Sequence, residues 1–291
     1  MKIRLLSDLH VDVNASHTMR LENKDDFVLI AGDTSGNPEI TEQWINKNVK
    51  NGIFIAGNHI VYNKKNQTIL DLKKYLGSKF TLDSDITFLD SEIGIISKEI
   101  NGILFVGTTL YTDYNLNNTT GFDMKLGKAA MNDFRWGIKS KNSNGEITRL
   151  TPDDYLEYFH KSLNMMEEVI SRNELEGQNT KPVIILTHHC PSKQFISKNY
   201  ETSMYNASYV SDLDYFIEKH KSIKLWLCGH IHNRVFSEFK REDGSVVKLV
   251  ANPRGYVSYS EDYNWTKNVY VDTDTWEVYK TGKKLVKTTL I

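Results

Sequence analysis

The stretch Ile3-Arg4-Leu5-Leu6-Ser7-Asp8-Leu9-His10 begins as a short, largely apolar run and ends in acidic and imidazole side chains. Continuous runs of this kind, rich in Ile, Leu and Val, are typical of strands buried on both faces. Four later runs have the same form: Phe27–Ala31 before Gly32-Asp33, Ile53–Ala56 before Gly57-Asn58-His59, Val183–Thr187 before His188-His189, and Lys224–Cys228 before Gly229-His230-Ile231-His232. The repeated pattern predicts buried strands whose ends carry polar side chains.

Helical patterns lie between some of these runs, which favours a layered α/β fold. The clearest pattern runs from Pro152 to about Arg172, where Thr151 can cap the helix and Pro152 suits its first position. Shorter candidates cover Thr41–Lys50, Ile69–Leu76 and Tyr209–His220.

Further short runs predict strands that are not separated by long helices. They are Ile86–Leu89, Gly94–Ser97, Ile103–Gly107, Val235–Phe239, Val246–Ala251, Val269–Asp272 and Val278–Lys280, with a turn at Asp243-Gly244. The sheet is therefore predicted to be mixed, or doubled into a sandwich. We predict one domain over residues 1–291, with a helical insertion or cap at about 114–178.

Composition sets limits on the function. The formal net charge of the 291-residue chain is −1, which argues against a general polyanion-binding surface and leaves a local basic cleft open. Two cysteines cannot form a disulfide framework. With neither a signal-peptide pattern nor a long apolar run, we expect a cytoplasmic protein without membrane association. The sequence leaves the oligomeric state open.

The polar residues at the predicted strand ends offer oxygen and imidazole ligands for hard to borderline metal ions. Ligands of open α/β sheets bind at the carboxyl ends of the strands. If the chain is extended there, side-chain alternation puts Asp8 and His10 on one side, and likewise His230 and His232. Gly32 allows a tight turn before the next acidic residue.

The five motifs, in order, are Asp-X-His, Gly-Asp, Gly-Asn-His, a lone His and Gly-His-X-His, and together they span Asp8 to His232. In this the sequence resembles the calcineurin-like metallophosphoesterase superfamily. The resemblance implies a layered α/β/β/α sandwich of mixed sheets flanked by helices, with a metal site at the C-terminal strand ends.

The resemblance also implies a role for each motif residue. Asp8, His10 and His232 would hold one divalent metal ion, Asn58, His188 and His230 the other, and Asp33 would bridge both. His59 would act as a general acid near the leaving-group oxygen, or contact the phosphate. Two cations roughly 3.5–4 Å apart can bind phosphate oxygens and lower the pKa of a bridging water, whose hydroxide would attack phosphorus in line. Such ligands accept Mn²⁺, which we favour, and also Fe²⁺, Zn²⁺, Co²⁺ or Ni²⁺.

Two departures from the family pattern narrow the function. Ile60 follows His59 where an acidic residue is common, so any acidic partner of His59 must come from elsewhere. After Asp33 there is no Asp-Arg-Gly element, which disfavours a protein phosphatase. We predict a phosphodiesterase or broad-specificity phosphatase acting on a small or nucleotide-type phosphate ester. A metal-dependent nuclease is the alternative, although nucleic acid is not indicated, and a non-catalytic binding module is less favoured because no ligand is lost.

Two segments outside the motifs look like those of uncharacterised bacterial and phage members of the superfamily: Gly107–Tyr114, with Met131-Asn132-Asp133-Phe134 following, and Asn252–Tyr256. They supply candidate substrate contacts. Tyr111 and Tyr114, in Gly107–Tyr114, could line a leaving-group pocket. Arg254, in Asn252-Pro253-Arg254-Gly255-Tyr256, could bind a phosphate or carboxylate through two hydrogen bonds. His189 is a candidate of the same kind, although alternation turns it away from His188.

Overall fold

Two large mixed β-sheets organise the computed structural model, which describes residues 1–14, 19–21, 26–62, 67–141 and 144–285. The first sheet has the strand order β15-β14-β13-β1-β2-β3-β4, in which β1 to β4 are parallel and the remaining three are antiparallel additions. Its strands are β1 (Lys2–Leu6), β2 (Phe27–Ile30), β3 (Asn51–Phe54), β4 (Ile86–Phe88), β13 (Val269–Asp272), β14 (Glu277–Lys280) and β15 (Lys283–Lys284).

The second sheet has the order β11-β12-β10-β9-β6-β5, with four parallel strands inside and an antiparallel strand at each edge. Its strands are β5 (Ser97–Ile100), β6 (Ile103–Thr108), β9 (Val183–Thr187), β10 (Ile223–Cys228), β11 (Val235–Lys240) and β12 (Val246–Ala251). A separate hairpin joins β7 (Lys139–Lys141) and β8 (Ile147–Arg149).

The α-helices of the described residues are α1 (Pro38–Asn48), α2 (Ile69–Lys79), α3 (Thr120–Ala130), α4 (Asn132–Arg135), α5 (Pro152–Glu174) and α6 (Asp214–Lys219). Short 3₁₀ helices cover Asn58–Val61, Gly177–Asn179, Lys193–Phe195, Lys198–Tyr200, Asn206–Ser208 and Val257–Tyr259. Within the described part of the chain, no helix combines the length and apolar character needed to cross a membrane.

Three buried apolar clusters define four layers. The central cluster joins residues of both sheets, among them Leu5 and Ile53 from the first and Ile184 and Leu225 from the second. One outer cluster packs α1 and α2 against the first sheet, and the other packs α5 and α6 against the second. The predicted α/β/β/α sandwich of mixed sheets is therefore confirmed.

Local signals explain the longest helix. Thr151 and Asp154 form a reciprocal capping box, and Pro152 occupies the first turn, as its fixed φ favours. The helix continues to Glu174, two residues beyond the prediction.

Two local predictions were wrong. Residues 209–213 are not helical, because Val210 bridges to Cys190 as a short extended pairing and only Asp214–Lys219 forms α6. The strand predicted at Gly94–Ser97 begins at Ser97, because Gly94 lies in a turn with a φ of 77°.

Candidate metal centre

The predicted ligands meet at one edge of the sandwich, where parallel strands of both sheets end. Asp8 and Asp33 follow the adjacent strands β1 and β2, and His188 and His230 follow the adjacent strands β9 and β10. Backbone hydrogen bonds tie these strand ends together, including Asp8 N–H to Gly32 C=O at 3.1 Å and Asp33 N–H to Ala56 C=O at 2.7 Å. The His230 N–H donates to Asp8 Oδ1 at 2.9 Å and so links the two sheets.

The backbone at these strand ends is not extended, contrary to the alternation expected from the sequence. Asp8, His10, Asp33, His230 and His232 all have positive φ, between 43° and 67°. Each pair of motif residues therefore converges through left-handed turns rather than through the pleat of a strand. Asp and His are among the residues that tolerate this region best.

Asp8, His10 and His232 form the first group of candidate ligands, with their ligand atoms within 4.8 Å of one another. The Nε2 atoms of His10 and His232 face each other at 3.0 Å, and His232 Nε2 lies 3.5 Å from Asp8 Oδ1. On its other side, His232 Nδ1 lies 2.6 Å from Glu261 Oε2. A carboxylate in that position fixes the orientation of a ligating imidazole.

Asp33, His188 and Asn58 form a second group. His188 Nε2 lies 3.2 Å from Asp33 Oδ2 and 3.0 Å from Asn58 Oδ1. The other ring nitrogen of His188 lies 2.9 Å from Ala31 C=O, which orients the ring. Asp33 Oδ1 accepts the His59 N–H at 3.0 Å, leaving Oδ2 to face the histidines. Gly57, with a φ of 99°, is required beside Asp33 because a Cβ there would collide with the carboxylate.

His230 lies beside the second group, with its ring centroid 5.1 Å from that of His188. Only 8% of its surface is exposed, and its Nε2 has no hydrogen-bond partner among the described residues. Buried polar atoms without partners are rare in proteins, and a cation bound at this point would satisfy the imidazole nitrogen.

The buried charges at this edge influence one another strongly. Burial alone would lower the pKa of His188, but the carboxylate of Asp33 raises it to about 9. The same interaction holds the pKa of Asp33 well below its ordinary value although burial opposes this. Burial, reinforced by the charge of His59, lowers the pKa of His10. Facing imidazoles, paired carboxylates and one amide oxygen match the donor set of a site for divalent cations.

A cavity of about 490 Å³ opens over this cluster. Asn58, His59, His230 and His232 line one part of it, whereas Asp8, His10, Asp33 and His188 are buried behind them. The remaining lining is aromatic and amide-rich and includes Tyr62, Asn132, Phe195, Tyr200, Tyr205, Asn206, Tyr209, Asn233 and Tyr256. Its described lining contains no lysine or arginine.

The tyrosines predicted to line the cavity do not do so. Tyr111 and Tyr114 are both fully buried. Consecutive positive φ angles at Leu110 and Tyr111 turn the chain inward, and Tyr111 stacks on Tyr155 with ring centroids 4.3 Å apart. Tyr114 is covered by α3, whose Gly127 approaches its ring closely.

Arg254 also lies outside the cavity. It borders separate clefts and lies over the ring of Trp265, with its guanidinium carbon 5.8 Å from the ring centroid. Gly255, with a φ of 73°, turns the chain after Arg254, so that Tyr256 is the residue of this segment that reaches the cavity. The Tyr256 hydroxyl lies 3.3 Å from His59 Nε2.

His189 is buried beside the centre and does not line the cavity. Its ring lies 4.0 Å from that of His230, at an interplanar angle of 32°, and its backbone N–H donates to Thr109 C=O. It thus packs against a candidate ligand instead of facing the substrate space.

Sequence reasoning missed several neighbours of the centre. Glu261 contacts His232, Tyr256 contacts His59, and Asp133 accepts a hydrogen bond from Asn58. Each comes from a segment distant in sequence from the residue that it contacts, so spacing along the chain carries no signal for these contacts.

Comparisons with known proteins identify a family. A family model described as calcineurin-like phosphoesterase matches residues 1–234. An uncharacterised protein of Acanthamoeba polyphaga mimivirus is 25% identical over 296 residues, which cover 94% of this chain and 96% of the viral protein.

Solved structures with detectable similarity include a putative 5′-nucleotidase from Staphylococcus aureus (11% identity, TM-score 0.49, covering all of this chain and 55% of that one). A dimetal phosphatase from Danio rerio has 11% identity and a TM-score of 0.44, covering 88% of each chain. An NAD nucleotidase from Haemophilus influenzae has 13% identity and a TM-score of 0.41, covering 97% of this chain and 48% of that one. The chain thus spans about half the length of the two nucleotidases.

Proposed function

The chain belongs to the calcineurin-like phosphoesterase family and is a metal-dependent phosphoester hydrolase. We propose that it cleaves small phosphate esters, with nucleotide-type phosphodiesters or monoesters as its substrates. The observation that carries the proposal is the cavity of about 490 Å³, which has candidate ligands on one wall and aromatic and amide side chains on the others. A volume of this size suits a small ligand.

The cavity lining favours a flat, polar leaving group. Tyr200, Tyr205 and Tyr209 offer aromatic faces on which a nucleobase can stack, and Asn206 and Asn233 offer amide donors and acceptors. Extended nucleic acid is recognised largely through lysine and arginine contacts to its phosphates, and the described lining has neither residue. A small ester fits these walls better than a polymer does.

We assign Asp8, His10 and His232 to one divalent cation, Asn58, His188 and His230 to a second, and Asp33 to both. The distances of 3.0–3.5 Å between the ligand atoms of neighbouring ligands support this assignment. A pair of such cations, for which Mn²⁺ is our first choice, supplies water activation and charge neutralisation at the phosphate.

The protein's own groups would then orient the ester and handle its proton. His59 lines the cavity and its ring stacks on Tyr62, with centroids 3.9 Å apart, so the ring is held at a fixed angle. We assign His59 to the leaving-group oxygen, to which a protonated imidazole can donate. Tyr256, 3.3 Å from His59 Nε2, supplies a hydroxyl that can hold the imidazole or the ester in place.

The test is hydrolysis by protein that has been stripped with a chelator and reloaded with Mn²⁺, Co²⁺, Ni²⁺, Zn²⁺ or Fe²⁺ separately. Substrates are p-nitrophenyl phosphate, bis-p-nitrophenyl phosphate, thymidine 5′-p-nitrophenyl phosphate, and labelled DNA and RNA. We expect metal-dependent turnover, highest with the nucleoside ester because its base can stack in the cavity.

The Asp33→Ala variant should lose this turnover, because the carboxylate shared by both cations is removed. His160→Gln changes an exposed histidine outside the cluster and is the control. If protein with bound metal turned over none of the small esters, the proposal would be refuted. Faster cleavage of DNA or RNA than of any small ester would instead support a nuclease.

A further inference from the structure

Asp133 is a buried carboxylate that the proposed chemistry does not use directly. It lies in α4, within the 114–178 segment, and is fully buried. Three donors surround it: Asn58 Nδ2 at 2.8 Å, the Tyr155 hydroxyl at 2.6 Å and the Tyr62 hydroxyl at 3.1 Å. A carboxylate only accepts hydrogen bonds, so all three neighbours must present hydrogen atoms to it.

This requirement decides which way the Asn58 side chain faces. An amide has an oxygen on one side and an NH₂ group on the other. With Nδ2 held by Asp133, Oδ1 points to the opposite side, where it lies 3.0 Å from His188 Nε2. The flipped amide would set its oxygen against the Asp133 carboxylate, which is repulsive, and would turn NH₂ towards the candidate ligands.

Asp133 also restrains the ring of His59, the residue next to Asn58, through Tyr62. The Tyr62 hydroxyl donates to Asp133, and the Tyr62 ring stacks on His59. The position after His59, where the family often has an acidic residue, holds the buried apolar Ile60. The Asp133 carboxylate, from a distant segment, therefore lies behind the Gly-Asn-His motif. It restrains the side chain of Asn58 directly and that of His59 through Tyr62.

We propose that Asp133 is a positioning residue of the metal centre, which holds the Asn58 amide with its oxygen facing the cation. The inference rests on the proposed function in one respect, namely that Asn58 is a metal ligand. Residues that orient ligands in this way contribute about 10- to 100-fold to metal affinity.

The test is calorimetric titration of chelator-stripped protein with Mn²⁺. The Asp133→Asn variant keeps the size of the side chain but can donate to Asn58 Oδ1, so it tolerates the flipped amide. We expect wild type to bind two Mn²⁺ ions and Asp133→Asn to bind one of them about 10- to 100-fold more weakly. Asp123→Asn, which changes another buried carboxylate of the same segment whose partner is Thr119, should bind both ions as wild type does.

An exchange of the two side chains separates positioning from a structural role. In the double variant Asn58→Asp/Asp133→Asn, the amide at position 133 can donate to the carboxylate at position 58. The other oxygen of that carboxylate then faces the cation, and because both of its ends are oxygens, a flip of this side chain changes nothing. We expect this double variant to bind the second ion more tightly than Asp133→Asn does. A loss of fold support at position 133 would not be repaired by a change at position 58.

Three results would overturn the inference: wild-type affinity for both ions in Asp133→Asn, equal weakening of both ions, or no recovery in the exchanged variant. A wild-type protein that bound none of the five divalent cations named above would overturn this inference and the proposed function together. The expected binding pattern without turnover of any ester would refute the proposed function alone.

Discussion

At the scale of single residues, the candidate metal centre is built on left-handed backbone conformations with positive φ, which residues other than glycine rarely adopt. Asp8, His10, Asp33, His230 and His232 have φ values of 50°, 43°, 52°, 67° and 51°. Each costs on the order of 1 kcal/mol relative to the right-handed region. Such strain persists where surrounding hydrogen bonds fix the backbone, as they do for Asp8 and Asp33.

The role of His59 can be tested with paired phosphate esters that differ only in the leaving group. A p-nitrophenolate leaves without a proton, whereas an alkoxide needs one. If His59 donates that proton, His59→Gln should lower kcat for the alkyl ester by about 10²- to 10⁴-fold and have a much smaller effect on the nitrophenyl ester. Steady-state kinetics with the Mn²⁺-loaded enzyme measures both values.

His160→Gln, an exposed histidine in α5, is the matched control and should leave both rates unchanged. An equal fall in kcat for the two esters would contradict proton donation. It would favour the other role considered for His59, a contact to the phosphate itself.

At the scale of elements, the sequence predicts structure best where the signal is local. Helix α5 could be predicted because Thr151, Asp154 and Pro152 carry their capping and first-turn signals within four residues. The helix expected at Tyr209–His220 is shortened by a pairing between Val210 and Cys190, which are far apart along the chain. No local pattern reveals such a pairing.

The same distinction holds for the candidate centre. The motif residues could be predicted because they follow apolar strands in an order that resembles a known family, and the resemblance implies their roles as ligands. Asp133 and Glu261 could not, because each lies at least 29 positions from its partner along the chain and belongs to no motif with that partner. Tyr111, in contrast, was singled out in a recognisable segment, but its backbone conformation turns it into the core.

Helix α2 is anchored by one buried cation. Lys73 is fully buried, 2.9 Å from Asp90 and in contact with Glu92. Burial alone would lower the pKa of Lys73, but the two carboxylates raise it well above its ordinary value. Lys73 also donates to the Thr109 hydroxyl, and the Thr109 carbonyl accepts the backbone N–H of His188.

Replacement of this cation should therefore destabilise the whole fold. Lys73→Met leaves two buried carboxylates without their partner, which costs about 3–5 kcal/mol in the free energy of unfolding. Urea denaturation followed by circular dichroism measures this loss. Lys74→Met, at the exposed neighbouring position, should change the free energy by less than about 0.5 kcal/mol. Equal stability of the two variants would show that the buried ion pairs are dispensable.

Helices α5 and α6 are joined by an acid-sensitive contact. The His220 ring lies between Glu167 and Glu174, with nitrogen–oxygen distances of 2.8 and 2.9 Å. Burial opposes the shift, but hydrogen bonds from Lys219 and His220 lower the pKa of Glu167 to about 2. A carboxyl group whose pKa is lower in the folded state than in the unfolded state stabilises the folded protein at pH values above its unfolded pKa, about 4.3. This stabilisation is lost as the pH falls towards the folded pKa of about 2.

The Glu167→Gln variant should therefore be less stable than wild type at pH 6, and the difference should shrink as the pH falls from about 4.3 towards 2. Urea midpoints at a series of pH values measure this difference. Glu157→Gln, at an exposed position of the same helix, is the control and should show no such trend. A constant difference across this range would mean that the ionised carboxylate is not the stabilising form.

At the scale of the whole molecule, the candidate centre lies where the two sheets meet. Asp8, Asp33 and Asn58 follow strands of the first sheet, and His188 and His230 follow strands of the second. A cation held by Asn58, His188 and His230 would thus connect both halves of the sandwich. Binding at such a position favours the folded chain, because the unfolded chain does not bring these ligands together.

We therefore expect Mn²⁺ to raise the unfolding temperature of chelator-stripped protein. A free Mn²⁺ concentration about 100 times Kd adds about 2.7 kcal/mol per site to the free energy of unfolding, and the gain grows with the logarithm of the concentration. His230→Ala removes a proposed ligand from the second sheet and should lose much of this gain, whereas His160→Ala should keep it. Scanning calorimetry over a range of Mn²⁺ concentrations measures the dependence. Two outcomes would mean that the cation does not bridge the two sheets through His230. One is a wild-type unfolding temperature that does not change with Mn²⁺, and the other is an equal rise in wild type and His230→Ala.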